Sequence, residues 1–443
     1  MTIILSLDIG TSKIAAVAFD GETRQLVDVV TAGNRATASG LANGRHEQDA
    51  IPIYDTCLQL LRQLIAAGKF SPAAVRTLAI SGQMHGVLLV DRELRPLTNL
   101  ITWCDQRATE LTLRINRDSW PTDRTGCYLH PGYGGATLAV LARQKTIPAG
   151  ATALPIADFV AAKLSGVIAT DASHAASWGI TDICKTGWDC DLIARLEIPS
   201  AILPEIKPGL SELGKLRVNL GLPPTVTVRL PLGDNQASFI GTCGLDNHAM
   251  LLNLGTGGQI SLPCPDFCFH SELETRPLPF GGYLLVGASL CGGRSYAHLK
   301  EFFKETIQSF TGQTMKDEAL YAAMNRIADE SDTELTVDTR FAGTRMEPDL
   351  RGLVSDIGID NFTPATLTRG WVRGMVRELT GMVDRQTTEK FKQVLVSGNA
   401  IRKNPLVQRF ITAELGLPCV LSAHREEAAT GAALAAAHAA GLL

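Results

Sequence analysis

The sequence has no run of Lys or Arg, no C-x-x-C pair and no apolar stretch long enough to cross a membrane. Its 41 Lys and Arg face 45 Asp and Glu, a formal charge of −4 that offers no basic field to nucleic acid. The Ala-rich stretch 428–443 is shorter than the roughly 20 residues of a membrane span, so a packed helix is expected there. We therefore expect neither nucleic acid nor a membrane as a partner.

Cysteine is sparse and scattered. Of ten cysteines, only Cys264 and Cys268 lie close together in the chain, a spacing that indicates neither a zinc site nor a disulfide framework. Reduced, buried thiols in a cytosolic protein are the expected state. The first residues lack the basic start of a signal peptide and are typical of a strand, so we expect a cytoplasmic protein.

Two nucleotide-binding patterns are also missing, because the chain contains neither G-x-x-x-x-G-K-[ST] nor G-x-G-x-x-G. What it does have is length and apolar content: 443 residues, 45% of them hydrophobic. This composition excludes a disordered chain, and a single core stops growing at roughly 250–300 residues. Two domains are therefore expected.

Two stretches of the sequence share one pattern, in which apolar residues flank a Gly-containing segment. Apolar residues 3–7 and 14–19 flank Asp8-Ile9-Gly10-Thr11-Ser12-Lys13, and the stretch 250–262 repeats the plan around Asn253-Leu254-Gly255-Thr256-Gly257-Gly258. Each stretch predicts a β-hairpin with a Gly-containing turn. The repeat suggests two domains of common design, each offering one phosphate-sized turn to a cleft between them.

Other apolar runs end in polar clusters, which is typical of an α/β chain with functional loops at its strand ends. The runs 78–80, 226–230 and 394–396 lead into Ser81–Gly86, Gly233–Ser238 and Ser397–Ala400, and helices are expected near 54–67, 137–143 and 405–415.

The first turn combines an acid, a flexible glycine, two hydroxyls and a cation, which suits a phosphate and metal seat, although a plain hairpin turn would also fit. Asp234 opens a predicted helix after a strand. It could be an ordinary N-cap, or a general base that takes a proton from a hydroxyl attacking a phosphate.

Two further segments carry groups suited to a sugar. Gln83-Met84-His85 offers amide, thioether and imidazole groups, or is only a turn with an incidental histidine. Trp103-Cys104-Asp105-Gln106-Arg107 adds an aromatic face, a carboxylate and a guanidinium, or is only a helix start with a surface Asp–Arg pair.

Taken in order, these motifs resemble the FGGY carbohydrate kinases, relatives of glycerol kinase and xylulokinase, over residues 3–437. The motifs are Asp8-Ile9-Gly10-Thr11-Ser12, Gln83-Met84-His85-Gly86, Trp103-Cys104-Asp105-Gln106-Arg107, Gly233-Asp234-Asn235-Gln236, Gly255-Thr256-Gly257 and Gly398-Asn399-Ala400. Several details, Ala175-Ala176-Ser177-Trp178-Gly179 among them, are most similar to the sedoheptulokinases. The resemblance implies an α/β fold of two ribonuclease-H-like domains, of the actin and hexokinase type, spanning 1–243 and 244–443 with an ATP and sugar cleft between them.

The resemblance also implies roles. Asp234 would be the catalytic base, and Asp8 with Asp234 would hold Mg²⁺. The sugar would contact Gln83, Met84, His85, Trp103, Asp105, Asp234 and Asn235, whereas ATP would contact Thr11, Ser12, Lys13, Gly255, Thr256, Gly257, Gly398 and Asn399. The implied reaction moves the γ-phosphate of ATP to a terminal hydroxyl of a ketose, foremost sedoheptulose, and homo-oligomers occur in the family.

The segment His130-Pro131-Gly132-Tyr133-Gly134-Gly135-Ala136-Thr137 departs from the sedoheptulokinases, which have Cys before Ala-Thr. Xylulose, ribulose or a polyol are therefore alternative substrates. An actin-like ATPase switch and a catalytically silent sugar sensor are alternatives of another class.

Overall fold

The structure is a computed structural model that describes residues 1–245, 248–345, 347, 349–422 and 426–443. Its elements are numbered here in chain order. The first part contains β1 (Ile3–Ile9), β2 (Lys13–Asp20), β3 (Gln25–Gly33), β4 (Glu47–Gln48), α1 (Ala50–Ala66), β5 (Val75–Gly82), β6 (Leu88–Val90), β7 (Leu100–Ile101), α2 (Thr109–Arg117), α3 (Thr122–Thr125), α4 (Gly134–Arg143), β8 (Thr152–Leu154), α5 (Ile156–Ser165), β9 (Thr170–Asp171), α6 (Ala172–Ala176), β10 (Thr181–Asp182), β11 (Gly187–Trp188), α7 (Cys190–Arg195), β12 (Ile206–Lys207), β13 (Glu212–Lys215), β14 (Thr227–Arg229), β15 (Leu232–Gly233) and α8 (Asp234–Cys243).

The remaining elements follow. They are β16 (Ala249–Leu254), β17 (Gly258–Cys264), β18 (Glu274–Pro277), β19 (Tyr283–Ser289), α9 (Gly292–Thr311), α10 (Asp317–Glu330), β20 (Thr336–Asp338), β21 (Leu353–Ser355), α11 (Pro364–Thr380), α12 (Arg385–Thr388), β22 (Gln393–Ser397), α13 (Asn399–Lys403), α14 (Pro405–Leu415), β23 (Cys419–Leu421) and α15 (Glu427–Ala439).

The two large sheets share one plan. In the first, the order is β13-β14-β5-β1-β2-β3; β1, β2 and β3 form an antiparallel meander and β5 lies parallel beside β1. In the second, the order is β18-β19-β17-β16-β22-β23, with β16, β17 and β19 antiparallel and β22 parallel beside β16. Both predicted hairpins are therefore confirmed. The apolar run of β1 is buried on both faces, as suits a central strand.

Helices α8 and α15 lie between the two sheets. The alanines of α15 pack on β1, β2 and β5 of the first sheet, and Phe239 of α8 packs with Leu251 and Leu284 of the second sheet. The helices cross closely, because a Cβ on Gly431 would lie 1.8 Å from the carbonyl oxygen of Ala237. The alanine-rich end of the chain is thus a packed helix, as predicted, and it lies on the sheet formed by the first part of the chain.

Several local predictions are confirmed. The helix expected at 405–415 is α14 (Pro405–Leu415), and those expected at 54–67 and 137–143 are parts of α1 and α4. All ten cysteines lie in the described residues and carry free thiols, but the expectation that they are buried is wrong for most of them, because only Cys57, Cys127 and Cys291 are buried. Among those residues, no helix is long and apolar enough to span a bilayer.

Candidate functional site

The carboxyl ends of three parallel strands meet at one edge of the first sheet. Asp8 of β1 pairs in register with Ser81 of β5, and Gly82 pairs with Gly233 of β15. Because parallel strands end at the same edge, the first turn, the segment 83–85 and Asp234 come together there, although they are far apart in sequence.

Asp234 is the first residue of α8, whose N-cap is Gly233 and has no capping side chain. The ordinary N-cap interpretation of Asp234 is therefore wrong. Burial raises its pKa to about 6, although the charges of Arg276 and His174 and a backbone hydrogen bond from Asn235 pull the pKa down. A carboxylate with a pKa just below neutrality suits a general base.

Asp8 lies close enough to Asp234 for the charge of Asp234 to act on its carboxyl group. The pKa of Asp8 is raised to about 7, mainly by burial and then by the charge of Asp234, although a hydrogen bond from Ser81 Oγ at 2.8 Å lowers it. Two carboxyl groups that disfavour each other's ionisation form a natural place for a cation, and Mg²⁺ prefers such oxygen ligands. Within the described residues, no cluster of three or more His, Cys, Asp or Glu side chains could hold a metal.

The first turn is bonded to the predicted sugar segments. Thr11 Oγ donates to Gln83 Oε1 at 2.9 Å and accepts from Trp103 Nε1 at 2.9 Å. Gln48, which the sequence did not indicate, accepts from Gln83 Nε2 and donates to the Thr11 carbonyl. Thr11 thus joins the two segments, whereas Ser12 and Lys13 are exposed.

Lys13 Nζ lies 2.7 Å from a carboxylate oxygen of Glu426, just before α15. This ion pair joins residues 413 positions apart. Half of the Lys13 side chain is exposed whereas that of Glu426 is 15% exposed, and a partly exposed pair of this kind contributes little stability.

The second turn lies against the segment predicted to bind adenosine. Asn253 Nδ2 donates to Ser397 Oγ at 2.7 Å, and the backbone N–H of Gly293, at the start of α9, donates to the Gly255 carbonyl. Gly398 has φ +100°, and a Cβ there would lie 2.4 Å from the Leu254 carbonyl oxygen, so only glycine fits. Thr256, Gly257 and Asn399 are exposed beside it.

Asn235 connects the two parts of the site, because its Nδ2 donates to Gln259 Oε1 of β17 at 2.9 Å.

Asp105 is placed differently from the other predicted sugar contacts. It is fully buried, and its oxygens accept from Arg107 and from the His46 N–H. Burial alone would raise the pKa of Asp105, but these bonds bring it below its usual range. Asp105 and Arg107 form a buried pair, not a surface one, whereas the side chain of Trp103 is exposed.

Residues 3–241 match the N-terminal domain of the FGGY family of carbohydrate kinases, and residues 259–440 match its C-terminal domain. The chain belongs to this family. It is therefore an ATP-dependent kinase, a phosphotransferase with an alcohol acceptor, and the prediction of two ribonuclease-H-like domains with a cleft between them is confirmed.

Relatives and solved structures agree with this assignment. The chain is 27% identical to a sedoheptulokinase of Mus musculus, covering 98% of this chain and 96% of the relative. It is equally, 27%, identical to a glycerol kinase of Alkalilimnicola ehrlichii, covering 100% and 91%. A gluconate kinase from Lactobacillus acidophilus superposes with a TM-score of 0.88 at 22% identity, covering 100% of this chain and 90% of the other.

His85 of this kinase is held in an unusual backbone conformation, with φ +72°. Its backbone N–H donates to Ser177 Oγ, and its Nδ1 donates to the Ser177 carbonyl at 2.8 Å, so in the neutral ring Nε2 is an acceptor. Burial, with the nearby Arg276 charge, keeps the pKa of His85 well below its usual value. Such strain in a non-glycine residue is typical of functional sites.

Near His85 lie Tyr133, from the segment 130–137 singled out in the sequence, and three residues that the sequence did not indicate, Glu274, Arg276 and Arg345. Tyr133 stacks on the His85 ring, with centroids 4.2 Å apart, and the Tyr133 hydroxyl donates to Glu274. Glu274 also accepts from Arg276 and Arg345. Glu274 and Arg276 alternate on β18, which places both side chains on one face, but sequence spacing alone could not reveal what that face meets.

A cavity of about 820 Å³ adjoins this cluster. Its wall includes His130, Glu274 and Arg345, together with residues of β20 and α11, but none of the residues predicted to bind ATP or the sugar.

Proposed function

We propose that this kinase transfers the γ-phosphate of ATP to a terminal hydroxyl of a ketose, foremost sedoheptulose to give sedoheptulose 7-phosphate. The observation that carries the proposal is the strand-end cluster in which Asp234 lies against the sugar segment and faces Asp8. The segments are in contact, because a Cβ at Gly233 would lie 2.7 Å from Met84 Sδ.

In this proposal, Asp234 accepts the proton of the attacking hydroxyl. Gln83, Met84, His85, Trp103 and Asn235 position the sugar, together with Asp105, which is buried against Arg107 and the His46 N–H. Phosphoryl transfer needs an aligned hydroxyl, neutralised phosphate oxygens and excluded water, because the protein does little covalent chemistry.

Thr11, Ser12 and Lys13 would lie around the β- and γ-phosphates from one side, and Gly255, Thr256 and Gly257 from the other, with Gly398 and Asn399 at the adenosine. Asp8 and Asp234 would hold Mg²⁺ with the phosphates. The ion, when bound, neutralises charge that develops on the phosphate oxygens. Lys13 would leave Glu426 when the nucleotide binds.

The division into residues 1–243 and 244–443 remains part of the proposal. Each part supplies one turn, and sugar binding would favour closure of the cleft, which excludes competing water. An enzyme that uses ATP as its phosphate donor would act in the cytoplasm.

The support for a seven-carbon ketose is the sedoheptulokinase relative, which matches this chain over nearly the full length of both proteins. The equal identity to a glycerol kinase favours a polyol as the second candidate.

The experiment is a coupled ADP-release assay with Mg-ATP that compares kcat/KM for sedoheptulose, D-xylulose, L-xylulose, D-ribulose, D-fructose and glycerol. We expect sedoheptulose to lead by about tenfold or more, equivalent to about 1.4 kcal/mol of transition-state discrimination. If another acceptor leads, the substrate proposal is wrong and that acceptor replaces it. If no acceptor exceeds the basal ATPase rate, the ketose kinase proposal itself is wrong.

A further inference from the structure

Arg276 of β18 reaches across to the segment proposed to hold the sugar. Its Nη1 lies 3.9 Å from Met84 Sδ, and its Nη2 lies 3.4 Å from His85 Nε2. Met84 in turn touches Gly233, which directly precedes the proposed base. The side chain of Arg276 is only 5% exposed, so its guanidinium belongs to the wall of this site and not to the protein surface.

The hydrogen bonds of Arg276 are unevenly distributed. Nε and Nη2 both donate to Glu274 Oε2, at 3.2 Å and 2.6 Å. For Nη1, the acceptor in the described part of the chain is the Met84 thioether, which accepts only weakly. Buried N–H groups normally have an oxygen partner, so the Nη1 hydrogens can donate to a ligand oxygen where the described residues supply only the thioether.

The groups around Arg276 also favour a ligand oxygen at Nη1. Glu274 is the carboxylate that Arg276 and Arg345 share, and Tyr133 donates to it as well. The neighbouring rings of His85 and His130 are neutral near pH 7. Because the Glu274 carboxylate is shared by two guanidinium groups and the Tyr133 hydroxyl, it does not also satisfy Nη1 of Arg276.

We propose that Arg276 is a substrate-binding and specificity residue of this kinase, whose Nη1 donates to a hydroxyl or carbonyl oxygen of the acceptor beside Met84 and His85. Glu274, Arg345 and Tyr133 hold the guanidinium in place. This inference rests on the proposed function, since it needs a polyhydroxylated acceptor at this position. It makes acceptor binding depend on both parts of the chain, because Arg276 follows the second turn whereas Met84 and His85 follow β5.

The test is Arg276→Met, which keeps an unbranched apolar stem, removes the guanidinium and leaves Glu274 paired with Arg345 and Tyr133, so the variant should fold. We expect the KM for sedoheptulose to rise about tenfold or more, as for the loss of a charged hydrogen bond, with the KM for ATP and the melting temperature close to those of the wild type. The matched control is Arg340→Met, which removes a guanidinium that lines the adjoining cavity and pairs with Asp338.

An unchanged acceptor KM in Arg276→Met would overturn the inference, as would an equal rise in the KM for ATP or in Arg340→Met. If Arg276→Met does not fold, Arg276→Lys takes its place. A lysine keeps the charge but cannot hold Glu274 and a substrate oxygen at once, so its acceptor KM must also rise. If the wild type prefers glycerol, the ketose proposal fails, and the same comparison made with glycerol still tests Arg276.

Discussion

The acid side of the pH–rate profile depends on Asp234. Its pKa is raised to about 6, mainly by burial, and a general base acts only as the carboxylate. Between pH 7 and pH 5, the ionised fraction falls from about 0.9 to about 0.1, so kcat/KM for the acceptor should fall about tenfold. Protonation of Asp8, whose pKa is about 7, would steepen the fall wherever Mg²⁺ does not saturate the site.

The measurement is a coupled ADP-release assay at constant ionic strength from pH 5 to pH 8, with Mg-ATP saturating. Asp234→Asn should lower turnover by about 100-fold or more while sugar and nucleotide still bind, and its residual rate should lose the acid limb. Because Asn has nearly the same shape as Asp, the substitution tests the proton acceptor and not the shape of the site.

Acid unfolding through these carboxyls cannot produce the same curve. A carboxyl whose pKa is raised in the folded state contributes stability at low pH, and that contribution is lost as the pH rises through the folded pKa, here about 6 and about 7. Melting temperatures at pH 5 and pH 7 provide the control. A kcat/KM that stays level down to pH 5, or near-normal turnover of Asp234→Asn, would refute the role of Asp234.

Two further substitutions test other parts of the structure. Thr256→Val should raise the KM for ATP far more than the KM for the acceptor, because the exposed hydroxyl belongs to the second turn; equal changes in both constants would argue against a phosphate role. Gly431→Ala should destabilise the protein by about 2–3 kcal/mol, measured by denaturant unfolding, because its Cβ would lie 1.8 Å from the Ala237 carbonyl oxygen. Gly33→Ala, with open space around its Cβ, is the matched control and should unfold like the wild type.

The sequence predicts those parts of the molecule that short stretches of chain determine. Apolar runs and Gly-containing turns predicted both hairpins, and the helix expected at 405–415 is α14. The strand-end motifs at 83–85 and 234 also lie where an α/β sheet should place them, because parallel strands end at a common edge.

Side-chain pairing between distant segments was not predictable in this way. The pair Lys13–Glu426 joins the first turn to the last helix, and Tyr133–Glu274 joins segments 141 residues apart. No local pattern specifies such partners, because they depend on how the two sheets pack. The same reason explains why the surroundings of Asp105 were not predicted. Its neighbour Arg107 indicated a surface pair, but in the structure Arg107 also contacts Glu47, and Asp105 accepts from the backbone N–H of His46.

The crossing of α8 and α15 links these distant contacts. Asp234 begins α8, Glu426 precedes α15, and the two helices touch through Gly241 and Gly431, where a Cβ on either would meet backbone of the other helix. Since Asn235 also bonds to Gln259 of the second sheet, the start of α8 is held from both sheets at once. A shift of one sheet relative to the other must therefore move the proposed base, the partner of Lys13 and the second turn together. Phosphoryl transfer requires these groups to be aligned, so the close packing of small residues at this crossing matters for that alignment.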